Sequence, residues 1–124
     1  LLGGRLVGRM GRAPILLLNA TGRRSGTRRT TPLLYQRDGA DYIVIASAGG
    51  QPGHPAWWLN LKANPGATIE VGRERISVQA RAATADEKPR LWQVMTAVYP
   101  SYDAYQRKTT REIDVVVLTP TSSR

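Results

Sequence analysis

The chain has 124 residues, enough for one domain with a real core, and no cysteine, which excludes disulfides and thiolate chemistry. A single histidine, His54, excludes a centre built from several imidazoles, and the longest unbroken apolar run, residues 42–46, is far too short to span a bilayer. The net charge of +9 is unevenly spread: eight of the 18 basic residues precede the first acid, Asp38, and the other ten face all nine acids. Such a field in the first third of the chain suits nucleic acid, an anionic membrane surface or a polyanionic small ligand.

The chain opens on Leu1 rather than Met, so its native start is expected upstream. Residues 1–12 read as a basic helix or arm, with Leu6, Val7 and Met10 near one helical face and Gly8 and Gly11 weakening it. Residues 13–124 read as one domain. Pro14 opens a strand, ILLLNA, whose apolar start predicts burial on both faces. The loop TGRRSGTRR, residues 21–29, holds four arginines, two glycines and no acid. It turns the chain into RTTPLLYQ, where Pro32 argues for an edge position or a bulge. RDGA is a tight turn into the strand DYIVIASA, which completes an antiparallel meander. After the loop GGQPGHP, AWWLNLKAN predicts a short helix with Trp57, Leu61 and Asn64 on one face, stopped by Pro65 and Gly66. ATIEV and ERISVQARAA alternate at period two around Gly72 and Arg73, a second hairpin. TADEKPRLWQVMTAVY predicts an amphipathic helix burying Leu91, Trp92, Met95 and Val98, with Thr84 and Glu87 spaced as a capping box. IDVVVLTP is a last strand. About six antiparallel strands and two or three short helices predict a mainly β, α+β domain: a small β-barrel with helices packed at its openings.

Most catalytic constellations are missing from this sequence. There is no Gly-x-Ser-x-Gly elbow, no phosphate-binding Walker loop, no paired carboxylates and no metal-ligand spacing. His54 lies between Gly53 and Pro55 and is expected to be structural or exposed. An enzyme of this composition would take its reactivity from a cofactor. Three features suit one. The arginine loop can converge guanidinium groups and backbone N–H groups on phosphate or carboxylate oxygens. IASAGG ends a strand in small residues, which lets a planar ring approach the backbone. PAWWLN brings two indoles to a helix start just beyond. Each feature also has a plain structural reading, as surface loop, strand end and core tryptophans. A fourth, YPSYDAYQ, stacks Tyr99, Tyr102 and Tyr105 along one helical face, either as core or as a wall of hydroxyls over a pocket.

These same segments, TGRRSGTRRTTPLLY, ASAGGQPGHPAWWLNLKANP and YPSYDAYQ with IDVVVLTP, resemble the actinobacterial deazaflavin-dependent nitroreductase and F420H2-dependent quinone reductase family. The similarity runs from about Asn19 to the C-terminus. It implies a split β-barrel like that of flavin mononucleotide-binding proteins. It also implies an oxidoreductase that passes hydride from reduced coenzyme F420, an 8-hydroxy-5-deazaflavin with a phosphate and an oligoglutamate tail, to a quinone, nitroaromatic or activated-alkene acceptor.

By position, the resemblance puts Arg23, Arg24, Ser25 and Arg29 against the phosphate and tail. Thr30, Thr31, Pro32, Leu33 and Leu34 follow the ribityl chain. Ile45, Ala46, Ser47 and Ala48 line one border of the ring, and Ala56, Trp57, Trp58, Leu59 and Asn60 the other. Tyr99, Tyr102 and Tyr105, with Trp57, face the acceptor, Tyr102 also lies near the coenzyme, and Tyr99, Tyr102 and Ser47 are the catalytic candidates. No metal is implied. Arg24 stands where Lys is usual, Leu34 where an aromatic is, Trp58 where Tyr is, and Ala48 where some members carry Lys. The alternatives are a barrel binding flavin mononucleotide, haem or fatty acid, and a basic nucleic-acid-binding module. A cytoplasmic monomer or homodimer without nucleic acid is expected, the basic arm offering peripheral contact with the inner face of an anionic membrane.

Overall fold

The computed structural model describes Arg9, Met10 and residues 13–121. The strands are β1 (Arg9–Met10), β2 (Ala13–Thr21), β3 (Arg28–Leu34), β4 (Gln36–Asp38), β5 (Asp41–Ile45), β6 (Gly66–Val71), β7 (Glu74–Ala82) and β8 (Val115–Pro120). The helices are α1 (Ala56–Ala63), α2 (Lys88–Thr96) and α3 (Ser101–Lys108), with a single 3₁₀ turn at Ala48–Gly50. Of the expected N-terminal helix or arm, only Arg9 and Met10 lie among the described residues; they are extended and pair with Pro14 and Ala13.

All strand pairs are antiparallel, in the order β1-β2-β6-β7-β8-β5-β4, with β3 also paired to β2. β3 and β4 are separated only by Tyr35, whose N–H donates to the Pro14 carbonyl at 3.1 Å. One bent strand therefore pairs with β2 through its first half and with β5 through its second, and the curled sheet closes on itself. Pro32 lies in the first half, opposite Leu17, where the strand partner among the described residues is β2 alone, which suits the edge position expected of it. The Asp38, Gly39, Ala40, Asp41 turn behaves as the Asp-Gly signal predicts, with Gly39 at φ 61°.

Two cores share the sheet. Leu16, Leu18, Tyr42, Val44, Ile69, Val78, Val116 and Leu118 fill the barrel, where Trp57, Trp58 and Leu61 of α1 pack against them. Ile43, Ile45, Val115 and Val117 point the other way, onto Leu91, Met95, Tyr102 and Ile113. Strands β5 and β8 are thus buried on both faces, which explains their unbroken apolar runs. The same expectation for the start of β2 does not hold: Leu16 and Leu18 are enclosed, but Leu17 is 38% exposed, because no helix covers the outer face there. Each fully buried aliphatic side chain contributes about 1.5–3 kcal/mol.

The reciprocal bonds expected of a capping box form as spaced, in the turn that precedes α2. The Thr84 N–H donates to Glu87 Oε1 at 2.8 Å and the Glu87 N–H to Thr84 Oγ1 at 3.3 Å. Pro89 is second in α2, where a missing N–H costs nothing. Arg90 clamps Asp38 through two bonds of 2.8 and 3.1 Å, fixing α2 over the β4–β5 turn. On the other side of the barrel, the Trp58 indole N–H donates to Asp114 Oδ2 at 2.9 Å and ties α1 to the approach of β8. Asp114→Ala leaves that enclosed N–H without an acceptor and should lower unfolding free energy by about 1–3 kcal/mol in urea titration, with an unchanged slope. An unchanged midpoint would mean that α1 is held by apolar contact alone.

Candidate functional site

The arginine loop folds back over the mouth of the barrel beside α1. Gly22 is buried, and a Cβ there would come within 2.9 Å of Ser25 Oγ and 3.1 Å of the Thr27 carbonyl. Its N–H donates to the Thr27 carbonyl (2.8 Å), the Gly26 N–H returns to the Gly22 carbonyl (2.9 Å), and the Thr27 N–H goes to Ser25 Oγ (3.1 Å). The loop is therefore a closed turn. The N–H groups of both glycines are taken up within that turn.

Asn60 anchors this turn to the helix. It is only 5% exposed, and its Oδ1 accepts from both the Arg23 N–H (3.0 Å) and Arg23 Nη1 (2.8 Å). Two donors from one residue on one oxygen fix where the loop begins and which way its first guanidinium points. Between loop, β3 and α1 lies a cavity of about 410 Å³ lined by Gly22, Arg23, Arg24, Ser25, Arg29, Thr30, Thr31, Ala56, Trp57 and Asn60. The lining carries three guanidinium groups, three hydroxyls and an indole face, and no carboxylate. Arg28, next along β3, is the exception among the loop arginines: its guanidinium lies 3.8 Å from Glu70. Asn19, 5% exposed, reaches that Glu70 with its amide N–H at 2.8 Å and accepts from Thr30 Oγ1 at 2.6 Å.

The other sequence-singled residues are distributed differently. Pro32 is exposed, Leu33 packs on the barrel core, and Leu34 packs on the core beneath α2 and α3. Ile45 also faces that helix-side core, and Ala46 faces the barrel. Ser47 and Ala48 leave the sheet, so the expected strand over residues 41–48 ends at Ile45. Trp57 borders the cavity, whereas Trp58 is spent on the barrel core and Asp114, and Leu59 is half-buried. Asn60 rather than Asn64 completes the buried face of α1.

The three tyrosines do gather. Tyr102 is buried, with its ring 5.0 Å from Tyr99 and 6.2 Å from Tyr105, and 6.3 Å from Trp92. The Tyr99 and Tyr105 hydroxyls share a hydrogen bond of 2.9 Å. Burial pushes the Tyr102 phenol well above its ordinary pKa, and the neighbouring Tyr99 and Tyr105 push it the same way. The hydrogen bond with Tyr99 raises Tyr105 as well. Tyr102 and Tyr105 therefore stay protonated at neutral pH. His54 is half-buried, and its Nδ1 is enclosed without a hydrogen-bond partner.

Sequence reasoning missed three residues here: Asp114, Lys108 and Arg111. Asp114 holds Trp58, Lys108 Nζ donates to the Gly49 carbonyl at 3.1 Å, and Arg111 binds the carbonyls that follow β5. Their partners are an indole 56 residues distant and main-chain oxygens, neither of which leaves a spacing signal.

An antiparallel sheet curled into a barrel, with α2 and α3 on one outer face and α1 at its mouth, defines a split-barrel protein. The haem storage protein HutZ of Vibrio cholerae superposes with a TM-score of 0.66 over 88% of this chain and 82% of its own, at 15% identity, a likeness of fold alone. Relatives of higher identity narrow the class. Residues 1–120 match the family profile described as F420H(2)-dependent quinone reductase. The F420H(2)-dependent quinone reductase Rv1261c of Mycobacterium tuberculosis is 45% identical over 112 residues, covering 88% of this chain and 75% of that protein. A solved structure described as an F420-H2 dependent reductase, FDR-A, is 37% identical with a TM-score of 0.78, covering 85% of this chain and 93% of its own. The chain belongs to the F420H(2)-dependent quinone reductase family, and it is an oxidoreductase that works with coenzyme F420. The basic cavity fits such a coenzyme, because an acid-free ring of guanidinium groups and hydroxyls is a donor set for phosphate and carboxylate oxygens. Among the described residues, no helix is long and apolar enough to cross a membrane.

Asn60→Ala removes the acceptor that orients Arg23. Coenzyme F420 should then bind about 5- to 10-fold more weakly in a fluorescence titration, by the loss of about 1–1.5 kcal/mol of pre-organised hydrogen bonding. Unaltered affinity in the folded variant would mean that Arg23 finds its place without help.

Proposed function

We propose that this protein passes hydride from reduced coenzyme F420 to a quinone-type acceptor, with Arg23, Arg24 and Arg29 gripping the phosphate and glutamyl carboxylates of the coenzyme. One observation carries the reading: the cavity at the barrel mouth brings these three arginines together and has no acid in its lining. Clustered guanidinium groups repel one another, and an unpartnered cluster is a cost that an oligo-anionic ligand offsets.

The bound coenzyme supplies a hydride, so two electrons and one proton arrive together and a second proton must follow to turn quinone into quinol. The chain's own residues bind and orient. Ser25, Thr30 and Thr31 add hydroxyl donors beside the arginines, and Thr30 is already oriented by Asn19. Ala56 and Trp57 form the α1 side of the cavity. The ring of the coenzyme would lie against Ser47, Ala48 and Trp57, with the linked hydroxyls of Tyr99 and Tyr105 on the acceptor side. Burial holds the Tyr102 phenol in its neutral form, so it serves as a hydrogen-bond donor rather than as an acid, and solvent provides the second proton.

Loss of one charge-assisted contact costs about 1.5–3 kcal/mol. Arg24→Ala and Arg29→Ala should therefore each raise the coenzyme Kd by roughly 10-fold or more, most for long-tailed forms, as read by quenching of coenzyme fluorescence. Wild-type protein should oxidise reduced coenzyme with a soluble quinone in one-to-one stoichiometry. Equal Kd values for wild type and both variants would sink the assignment of this cavity.

A further inference from the structure

Beyond strand β5 the backbone takes a turn that costs free energy. Ser47 is right-handed helical (φ −81°, ψ −34°), and Ala48, Gly49 and Gly50 then follow with φ of 48°, 63° and 81°. Ala48 is the described residue other than glycine with positive φ, a conformation that an alanine avoids by about 1–2 kcal/mol. Gly50 cannot be replaced there on two counts: its φ, and the Tyr105 carbonyl that would lie 2.8 Å from a Cβ.

What holds this turn is Arg111. Its Nη1 donates to the Ala46 carbonyl (3.2 Å), its Nη2 to the Ser47 carbonyl (2.9 Å) and its Nε to the Gln51 carbonyl (3.2 Å). Lys108 takes the Gly49 carbonyl, and the Gln51 N–H takes that of Ala48. Arg111 is itself fixed at its root, for its N–H donates to Thr109 Oγ1 and its carbonyl accepts from Gln106 Nε2. It makes no ion pair among the described residues. A guanidinium wholly committed to three main-chain oxygens is there to shape the main chain.

Peptide planarity then dictates the other side. In a trans peptide the N–H points opposite to the C=O, so drawing the Ala46 and Ser47 carbonyls onto Arg111 turns the N–H groups of Ser47 and Ala48 away from it. Neither N–H has an acceptor among the described residues. A right-handed residue followed by a left-handed one makes successive N–H groups converge into an anion-binding hollow.

We propose that Arg111, assisted by Lys108, is a positioning residue that holds residues 47–49 as a preformed pair of N–H donors for a carbonyl-type oxygen gaining negative charge. This inference rests on the hydride-transfer reading above, but on a part of the chain remote from the arginine loop. The oxygen belongs either to the acceptor or to a carbonyl on the coenzyme ring, and the arms of the test separate the two. Arg111 touches neither.

The test compares wild type with Arg111→Met, which keeps the apolar stem, and Arg111→Lys, which keeps the charge but cannot span three carbonyls. Lys108→Met is the milder variant if Arg111→Met folds poorly. Amide hydrogen exchange on the free proteins reads the turn directly: the Gly50 and Gln51 N–H groups, which close it onto Ser47 and Ala48, should exchange about 10-fold faster or more in the Arg111 variants. In the loaded proteins, a fall in kcat of about 10- to 100-fold with unchanged coenzyme Kd assigns the oxygen to the acceptor. A rise in Kd of similar size, equal for the coenzyme and for its tail-less deazaflavin, assigns it to the ring. Unchanged exchange at Gly50 and Gln51, or unchanged Kd and kcat in variants whose exchange has risen, would overturn the proposal. Failure of wild type to bind coenzyme at all would strike the hydride-transfer reading instead, and the exchange comparison would still decide what Arg111 does to the turn.

Discussion

The double hydrogen bond from Arg23 to Asn60 Oδ1 is the constraint on which the site depends. Three guanidinium groups around one cavity repel one another, and nothing in its lining neutralises them. The protein resists dispersal of that charge by pinning the first arginine of the loop, backbone and side chain together, to a buried amide on α1. The helix is pinned in turn, through Trp58 to Asp114 and through Trp57 and Leu61 to the barrel core. A positive field that looks diffuse in the sequence thereby becomes a fixed, concave surface. That is what separates a ligand site from a basic patch, and it is why the nucleic-acid reading of the charge is not favoured.

The barrel was legible because its signals are local. Alternation in residues 67–83, the Asp-Gly turn before β5 and the Thr84 and Glu87 spacing each specify a conformation within a few residues, and each appears in the structure. The departure in β2 has a tertiary cause: ILLLNA is apolar enough for two buried faces, but α2 and α3 pack over β5 and β8 instead, leaving Leu17 in view. No property of β2 itself could have told which strands the helices would choose.

Legibility of the site follows the same division. The arginine loop and the tryptophan pair stood out by composition, and the cavity joins them across β3 and α1. The residues that give the site its shape did not stand out by composition. The family resemblance names Asn60 at the border of the ring, and its burial against Arg23 adds the loop that it holds. Arg111 is one arginine among many in a basic chain, and its partners are main-chain oxygens that any sequence possesses. The tyrosine series was visible as a stripe, but the stripe alone could not distinguish a buried ring from a pocket wall. The structure divides the labour, with Tyr102 enclosed among Trp92 and its two neighbours, and Tyr99 and Tyr105 linked through their hydroxyls.

The proposed grip on the coenzyme is chiefly at its anionic end, in the arginine cavity. The most direct measurement compares coenzyme F420 with its tail-less, phosphate-free deazaflavin core in titrations at low and high salt. The intact coenzyme should bind more tightly by at least about 100-fold at low salt, and the gap should narrow as salt rises while the core's own affinity hardly moves. Equal affinity of the two ligands at low salt would place the binding energy in the ring and contradict the account.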